Sequence, residues 1–373
     1  MTPALDADIR AAQVRVPCSD LAASLAFFTG RLGFRIDLIF PADSPSTAVI
    51  SGYGVCLRLE MQAPPVPVGM PLVLRLLCEN APSQNELSGP DGVRIELVPV
   101  QPAIVVPPGT QEFVLSRNDG ADAWGAGRAG MHYRDLIPGR LGGRVVASHI
   151  RIPDGGEVPD YVHFHRVRFQ MIFCKAGWVR VVYEDQGPPF VMQAGDCVLQ
   201  PPEIRHRVLE ASPGLEVIEI GCPAVHDTVA DHALALPTSS HRPDRLFSGQ
   251  RFVRHIAAGA EWKPWCANGS GAHGLEACDA GIAAATAGLA DVHVVRSTAV
   301  PQPERLARLM HAGALLFLFV LEGSLEVDGD ATNAIDARGH HQLRGGDSCV
   351  LPAGAGYWLR AGEGLRMLRV ELT

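Results

Sequence analysis

Two small β-barrels in tandem, preceded by a compact α+β domain, make up the mainly β fold that this 373-residue sequence predicts. Three observations carry the expectation. Glycine and proline are abundant, at 39 and 29 residues, which favours many turns and short strands over long helices. Short apolar runs alternate with polar residues and are bounded by Gly, Pro and Asp, the pattern of strands joined by turns. The chain beyond residue 110 also repeats itself. Phe113-Val114 with Trp124 is echoed by Phe252-Val253 with Trp262, and RVVASHIRIP at 144–153 by DVHVVRSTAVP at 291–301. FQMIFCKAGWVRVVYED is matched by LLFLFVLEGSLEVDGD, aligning Gly177 with Gly323. AGDCVLQPPEIRHRV is matched by GGDSCVLPAGAGYWL, aligning Gly195-Asp196 with Gly346-Asp347.

Composition excludes several classes of function. The formal net charge is -8 and no basic block offsets it, which argues against nucleic acid as a partner. No window of about 18 uninterrupted apolar residues exists, so no membrane partner is expected. The start, MTPALDADIR, carries acids and lacks an apolar signal core; cytoplasm is the expected location. None of the nine cysteines forms a Cys-x-x-Cys pair, so they are read as reduced, mostly buried thiols.

In chain order, residues 1–100 form the first domain. Val14 to Pro17 is a short apolar run, Ser19-Asp20 is an N-cap signal, and Gly33 marks the end of the helix that follows. FRIDLIF, TAVIS and GVCLRLE then read as strands, giving a β-α-β-β-β unit. The opening VRVPCSDLAASLAFFTGRLGF and the close GPDGVRIELVPV (89–100) resemble the glyoxalase/vicinal-oxygen-chelate family. That resemblance implies a metal-ligating His on the first strand, where Gln13 stands instead. Glu60 and Glu96 are carboxylates of the kind that is more often salt-bridged than metal-bound. The domain is therefore expected to lack metal and to serve docking or ligand binding. Residues 101–110 are a proline-stiffened linker. The first barrel spans 111–225, a polar linker 226–247, and the second barrel 248–373.

Within the first barrel, Tyr161 to His206 concentrates the chemistry. His163 and His165 are one residue apart, so a strand aims both imidazoles at one point. Pro201-Pro202 and three further residues lead to His206, which a neighbouring strand can return to the same point. Tyr161 shares the ligand face; Arg166 and Arg168 share the opposite one. His149 and Arg151 share a face of another strand and either reach the cavity or pack. Tyr183-Glu184-Asp185 reads as turn chemistry.

This part of the sequence resembles the cupin superfamily, and two such domains make a bicupin. His163, His165 and Gly177 match the first cupin motif; Gly195-Asp196, Pro201 and His206 match the second. Gln170 stands where the family has Glu, as a weak fourth donor or as a residue that orients bound water or substrate. The resemblance implies one divalent transition metal, with Fe(II) favoured over Ni, Mn, Zn or Cu, and a small-molecule substrate near Tyr161 and Gln170. It also implies a homodimer. Three-His cupins of this kind include dioxygenases. A metal-dependent dioxygenase, a non-catalytic binding or sensing protein, and an oxygen-independent isomerase or lyase stand as the alternatives. In the second barrel the matching positions are Leu309, His311, Leu316 and Tyr357. One imidazole does not hold a divalent ion, so that copy is expected to be metal-free. His340-His341 is read as an exposed polar loop.

Overall fold

The structure, a computed structural model, describes residues 9–18, 20–31, 33–52, 54–61, 73–80, 83, 85–88, 94–119, 124–127, 130–267, 270–298, 308–329 and 339–373. The chain divides into two compact units. One comprises Met1–Val105, Tyr161–Arg166 and His226–Leu234, and the other Val106–Asp160, Val167–Val225 and Ala235–Thr373.

The first unit follows the β-α-β-β-β order. Asp20 caps the helix Leu21–Leu25 by accepting a hydrogen bond from the Ala23 N–H. That helix is shorter than expected, passing into a π-helical turn at Ala26–Arg31 before Gly33 (φ 71°) ends it. Val55–Met61 pairs antiparallel with Thr47–Gly52 and parallel with Ile9–Cys18. Ile9–Cys18 also pairs with Val73–Cys78, which runs parallel to Arg94–Pro99. Leu21, Ile39, Ala48, Ile50 and Leu59 form its core. Arg15 binds Glu60 at 2.6 Å and Glu96 at 3.1 Å, so these two carboxylates are ion-paired; Gln13, two residues before Arg15, is buried. Thr228–Ala230, inside the stretch expected as a linker, is a strand of this unit. It pairs with Arg35–Phe40 on one side and His163–His165 on the other.

The second unit contains the two barrels, and the repeat read in the sequence returns as matched sheet orders. One sheet runs Val253–His255, Cys197–Leu199, Phe169–Ala176, Leu215–Cys222, Val146–Ile152, His132–Asp135, Gly125–Ala126. The other runs Val114–Ser116, Ser348–Val350, Leu315–Glu322, Arg366–Leu372, Ala290–Ser297, Ser270–Asp279, Lys263–Ala267. The outermost strands are exchanged. Val114–Ser116 precedes the first barrel in sequence but pairs with Ser348–Val350 of the second. Val253–His255 precedes the second and pairs with Cys197–Leu199 of the first.

Alternation along each strand separates two environments. Phe169, Met171, Phe173, Ile218 and Ile220 face a core shared with Phe317, Phe319, Leu368 and Val370 of the other barrel. Each buried phenylalanine there contributes roughly 1.5–3 kcal/mol. The intervening residues face the barrel interiors: Ile172, Cys174 and Val217 in the first, and Leu316, Leu318 and Met367 in the second. No described helix is long and apolar enough to cross a membrane. None of the eight cysteines whose side chains are described is in a disulfide, and six of them are buried.

The aligned glycines share a conformation as well as a place, with φ 72° at Gly177 and 71° at Gly323. A Cβ at Gly323 would lie 2.7 Å from backbone atoms of Glu363 and Gly364. Gly323→Ala is therefore expected to cost about 2–3 kcal/mol, left-handed strain and steric conflict together. Gly354, at φ 74° with nothing within 4 Å of such a Cβ, serves as the control for strain alone. Equal melting temperatures for the two alanine variants would refute this account.

Candidate metal centre

His163 and His165 lie on the three-residue strand His163–His165, and His206 opens the strand His206–Ala211. A ligand nitrogen from each lies within 4.8 Å of the other two, and all three residues are buried. Main-chain carbonyls select the nitrogen presented by two of them. His163 Nδ1 is 2.8 Å from the Tyr161 carbonyl oxygen, and His206 Nδ1 is 3.0 Å from that of Ile204. A carbonyl only accepts, so Nδ1 carries the proton and Nε2 the lone pair. His165 Nδ1 lies 3.1 Å from the Thr228 hydroxyl, which accepts in the same manner when Nε2 is the ligand. A divalent transition metal fits such a donor set: neutral imidazoles, converging and oriented from behind.

Tyr161 lies beside His163, with ring centroids 5.8 Å apart. The strand ends at His165, so Arg166 and Arg168 do not continue its alternation. Arg168 is exposed, and Arg166 is half-buried with an ion pair to Asp227 at 3.3 Å. His226, which the motif pattern does not include, places its ring 5.5 Å from that of His165.

Gln170 is engaged at both ends of its amide. Its Oε1 accepts from Gln200 Nε2 at 3.1 Å, and its Nε2 donates to a carboxylate oxygen of Glu219. Gln200 Oε1 in turn accepts from the Tyr183 hydroxyl at 2.7 Å, and Gln200 Nε2 lies 3.5 Å from His206 Nε2. Burial pushes the Tyr183 phenol up, which keeps it a donor. Sequence reasoning passed over Gln200 and Glu219. The signal for Glu219 was a carboxylate inside the apolar run LEVIEIGC, two residues after Val217, on the face that turns into the barrel.

His149 faces away from the first barrel's interior. Its Nδ1 is 3.2 Å from Arg134, its Nε2 2.7 Å from Glu216, and its ring packs on Trp124 and Phe319. The hydrogen bond with His149 holds the Glu216 carboxyl down at about 2; burial opposes this and Lys175 assists it. Arg151 stacks on Trp124 at 4.1 Å. Glu184 and Asp185 form a turn after the strand Trp178–Tyr183, and Asp185 is its buried hub. It accepts hydrogen bonds from Thr238 at 3.1 Å, Arg245 at 2.7 Å, Ser240 and Arg242.

In the second barrel, Leu309, Leu316 and Tyr357 are buried among apolar side chains, and His311 Nε2 lies 2.7 Å from the Leu351 carbonyl oxygen. His340 and His341 are on a strand, His340–Arg344, rather than a loop. His340 is exposed beside Asp328, and His341 stacks on Phe113. A polar cluster unforeseen from the motifs, Asp279, Asp291 and His293, lines a cavity of about 590 Å³. Burial works against the ionisation of Asp291, but His293 at 3.3 Å and Arg369 at 2.9 Å hold its carboxyl below the usual range. Its charge is thus already balanced by neighbouring side chains.

No family model matches the sequence, and no curated protein sequence does. Solved structures match at the level of fold. A Pseudomonas aeruginosa protein described as glyoxylate-induced has 12% identity and a TM-score of 0.50, covering 74% of this chain and 92% of that one. Oxalate decarboxylase from Lactobacillus farciminis has 12% identity and a TM-score of 0.48, covering 70% and 86%. Protein Ylba from E. coli has 12% identity and a TM-score of 0.47, covering 74% and 95%. The architecture is mainly β, with two barrel-like sheets of matched strand order.

Proposed function

We propose that this chain is a bicupin and a metal-dependent enzyme, a dioxygenase acting on a small oxygenated organic compound. His163, His165 and His206 hold one divalent ion, with Fe(II) favoured over Ni, Mn, Zn and Cu. The observation that carries this reading is the convergence of three buried imidazoles, two with Nδ1 committed to main-chain carbonyls. When bound, such an ion supplies Lewis acidity and one-electron chemistry.

The chain's own residues bind and orient. Three neutral ligands leave the ion's charge uncompensated, which favours an anionic oxygen donor as substrate. Gln170 is assigned to positioning beside the ion: its Oε1 accepts from Gln200 and its Nε2 donates to Glu219. Tyr161, beside His163, lines the substrate's space. Burial of the three histidines limits water at the centre. The β-α-β-β-β order and the parallel pairing of Ile9–Cys18 with Val55–Met61 support reading the N-terminal unit as glyoxalase-like, a docking or ligand module. A homodimer is the proposed assembly.

Metal analysis after expression with each candidate ion is expected to give about one ion per chain, with iron supporting oxygen uptake on catechols, gentisate or β-dicarbonyls. Stoichiometric metal with turnover in the absence of oxygen would replace the dioxygenase by an isomerase or lyase. A ligand that raises the melting temperature and is recovered unchanged would indicate a binding or sensing role.

A further inference from the structure

Beside His206, four side chains form a single line of hydrogen bonds running in one direction. The Tyr183 hydroxyl donates to Gln200, Gln200 donates to Gln170, and Gln170 donates to Glu219. An amide alone can be turned end for end. Here the carboxylate end removes that freedom: it accepts, so Gln170 turns Nε2 to Glu219 and Oε1 to Gln200, and Gln200 turns Nε2 to Gln170 and Oε1 to the Tyr183 hydroxyl. Tyr183, Gln200 and Gln170 are also at most 4% exposed, so neither amide exchanges partners with bulk water. The Gln200 Nε2 group is thereby fixed as a donor. One of its hydrogens goes to Gln170, and the other is on the side of His206 Nε2, 3.5 Å away. The His206 lone pair is the metal-ligating one, because Nδ1 is held by Ile204.

We propose that Gln200 is a ligand-recognising residue of the metal centre: its second amide N–H donates to an anionic oxygen of the substrate seated beside His206, and Glu219, through Gln170, fixes that polarity. This rests on the metal-binding reading above. The recognised class is a carboxylate or enolate, an oxygen anion able to accept from an uncharged buried donor. Gln170 and Glu219 are positioning residues, acting through Gln200. The same register positions in the second barrel differ: Gln170 pairs with Gly221 and Ile172 with Glu219, whereas Leu316 pairs with Glu371 and Leu318 with Arg369. Arg369 therefore stands where the first barrel has Glu219, and Leu316 where it has Gln170. The directed line of hydrogen bonds is peculiar to the barrel with the histidines.

The test uses the full chain loaded with Co(II), titrated with acetate and followed by visible absorption. A buried hydrogen bond to a charged group is worth about 1.5–3 kcal/mol, so Gln200→Met and Gln200→Leu should weaken acetate binding roughly ten- to a hundredfold. Their Co(II) affinity should stay within about threefold of the parent's. Glu219→Gln frees both amides to turn and should weaken acetate binding several-fold; added to Gln200→Met, it should cause no further loss. Unchanged acetate affinity in both Gln200 variants, with Co(II) bound, would overturn the proposal and leave the metal centre standing. Independent losses in the double variant would overturn the role of Glu219. A parent protein that takes up no Co(II) would overturn the metal centre, and the proposal with it.

Discussion

Replacing His206 with alanine is expected to lower metal affinity by more than about a hundredfold and to abolish any metal-dependent turnover. Disturbing a residue that merely orients a ligand already costs 10- to 100-fold, so removing the ligand itself should exceed that range. His206 is buried, stacks on Tyr183 at 5.5 Å, and has Nδ1 fixed by Ile204, which leaves Nε2 for the ion. His311→Ala is the matched control, since it removes the one histidine retained at the corresponding positions of the second barrel, where Nε2 lies 2.7 Å from the Leu351 carbonyl oxygen. Metal content by elemental analysis and affinity by competition with a chelator should fall for the first variant and hold for the second. Full loading of His206→Ala at parental affinity would sink the assignment of this site.

The second large effect is on stability. Asp185 is 1% exposed and tethers the connector between the barrels through Thr238, Ser240, Arg242 and Arg245. Burial alone would raise its pKa, but the hydrogen bonds from Ser240, Arg245, Arg242 and Thr238 win and hold it far below the usual carboxylate range. Asp185→Asn removes the buried charge and leaves two arginines facing an amide. Breaking a fully buried pair costs about 3–5 kcal/mol; with both arginines partly exposed, about 2–3 is expected, a melting temperature lower by roughly 5–10 °C. The sign with pH follows from linkage. A carboxylate whose pKa is depressed on folding contributes stability that is fully present above its unfolded value, about 4, and is lost as pH falls through the folded value. The difference between parent and variant should hold constant above about pH 4 and narrow below it. A gap of the same size on both sides of pH 4 would contradict a role for the charge.

The barrels were legible because their information is local. Glycines at turns, alternation along strands and the paired strings around Gly177 and Gly323 all act over a few residues. His-x-His followed by His206 was legible as a motif. What escaped depends on which strands meet. Phe113-Val114 and Phe252-Val253 were recognised as equivalent, but nothing local says that each completes the other barrel's sheet. Thr228–Ala230 was hidden for the same reason: its short Thr-Val-Ala run gains strand character from Leu38 and Ile39 beyond it. Gln200 and Glu219 acquire meaning only when folding sets them beside Gln170. The helix after Asp20 was placed correctly at its start, where a cap marks it, and less well at its end, where a π-helical turn takes over.

The exchanged outer strands bear on how the chain emerges from the ribosome. By the time residue 225 has been made, the first barrel's sheet still ends at Cys197–Leu199, an open edge awaiting Val253–His255. Meanwhile Val114–Ser116, already synthesised, waits for its partner until Ser348–Val350 has been made. A nascent chain usually finishes its domains one after another. Here the earlier barrel stays incomplete until its successor has begun, and its early strand waits until most of that successor has been made. The two barrels therefore mature together, once both exchanged strands have been made, with an unpaired edge that must be kept from other chains in the interval.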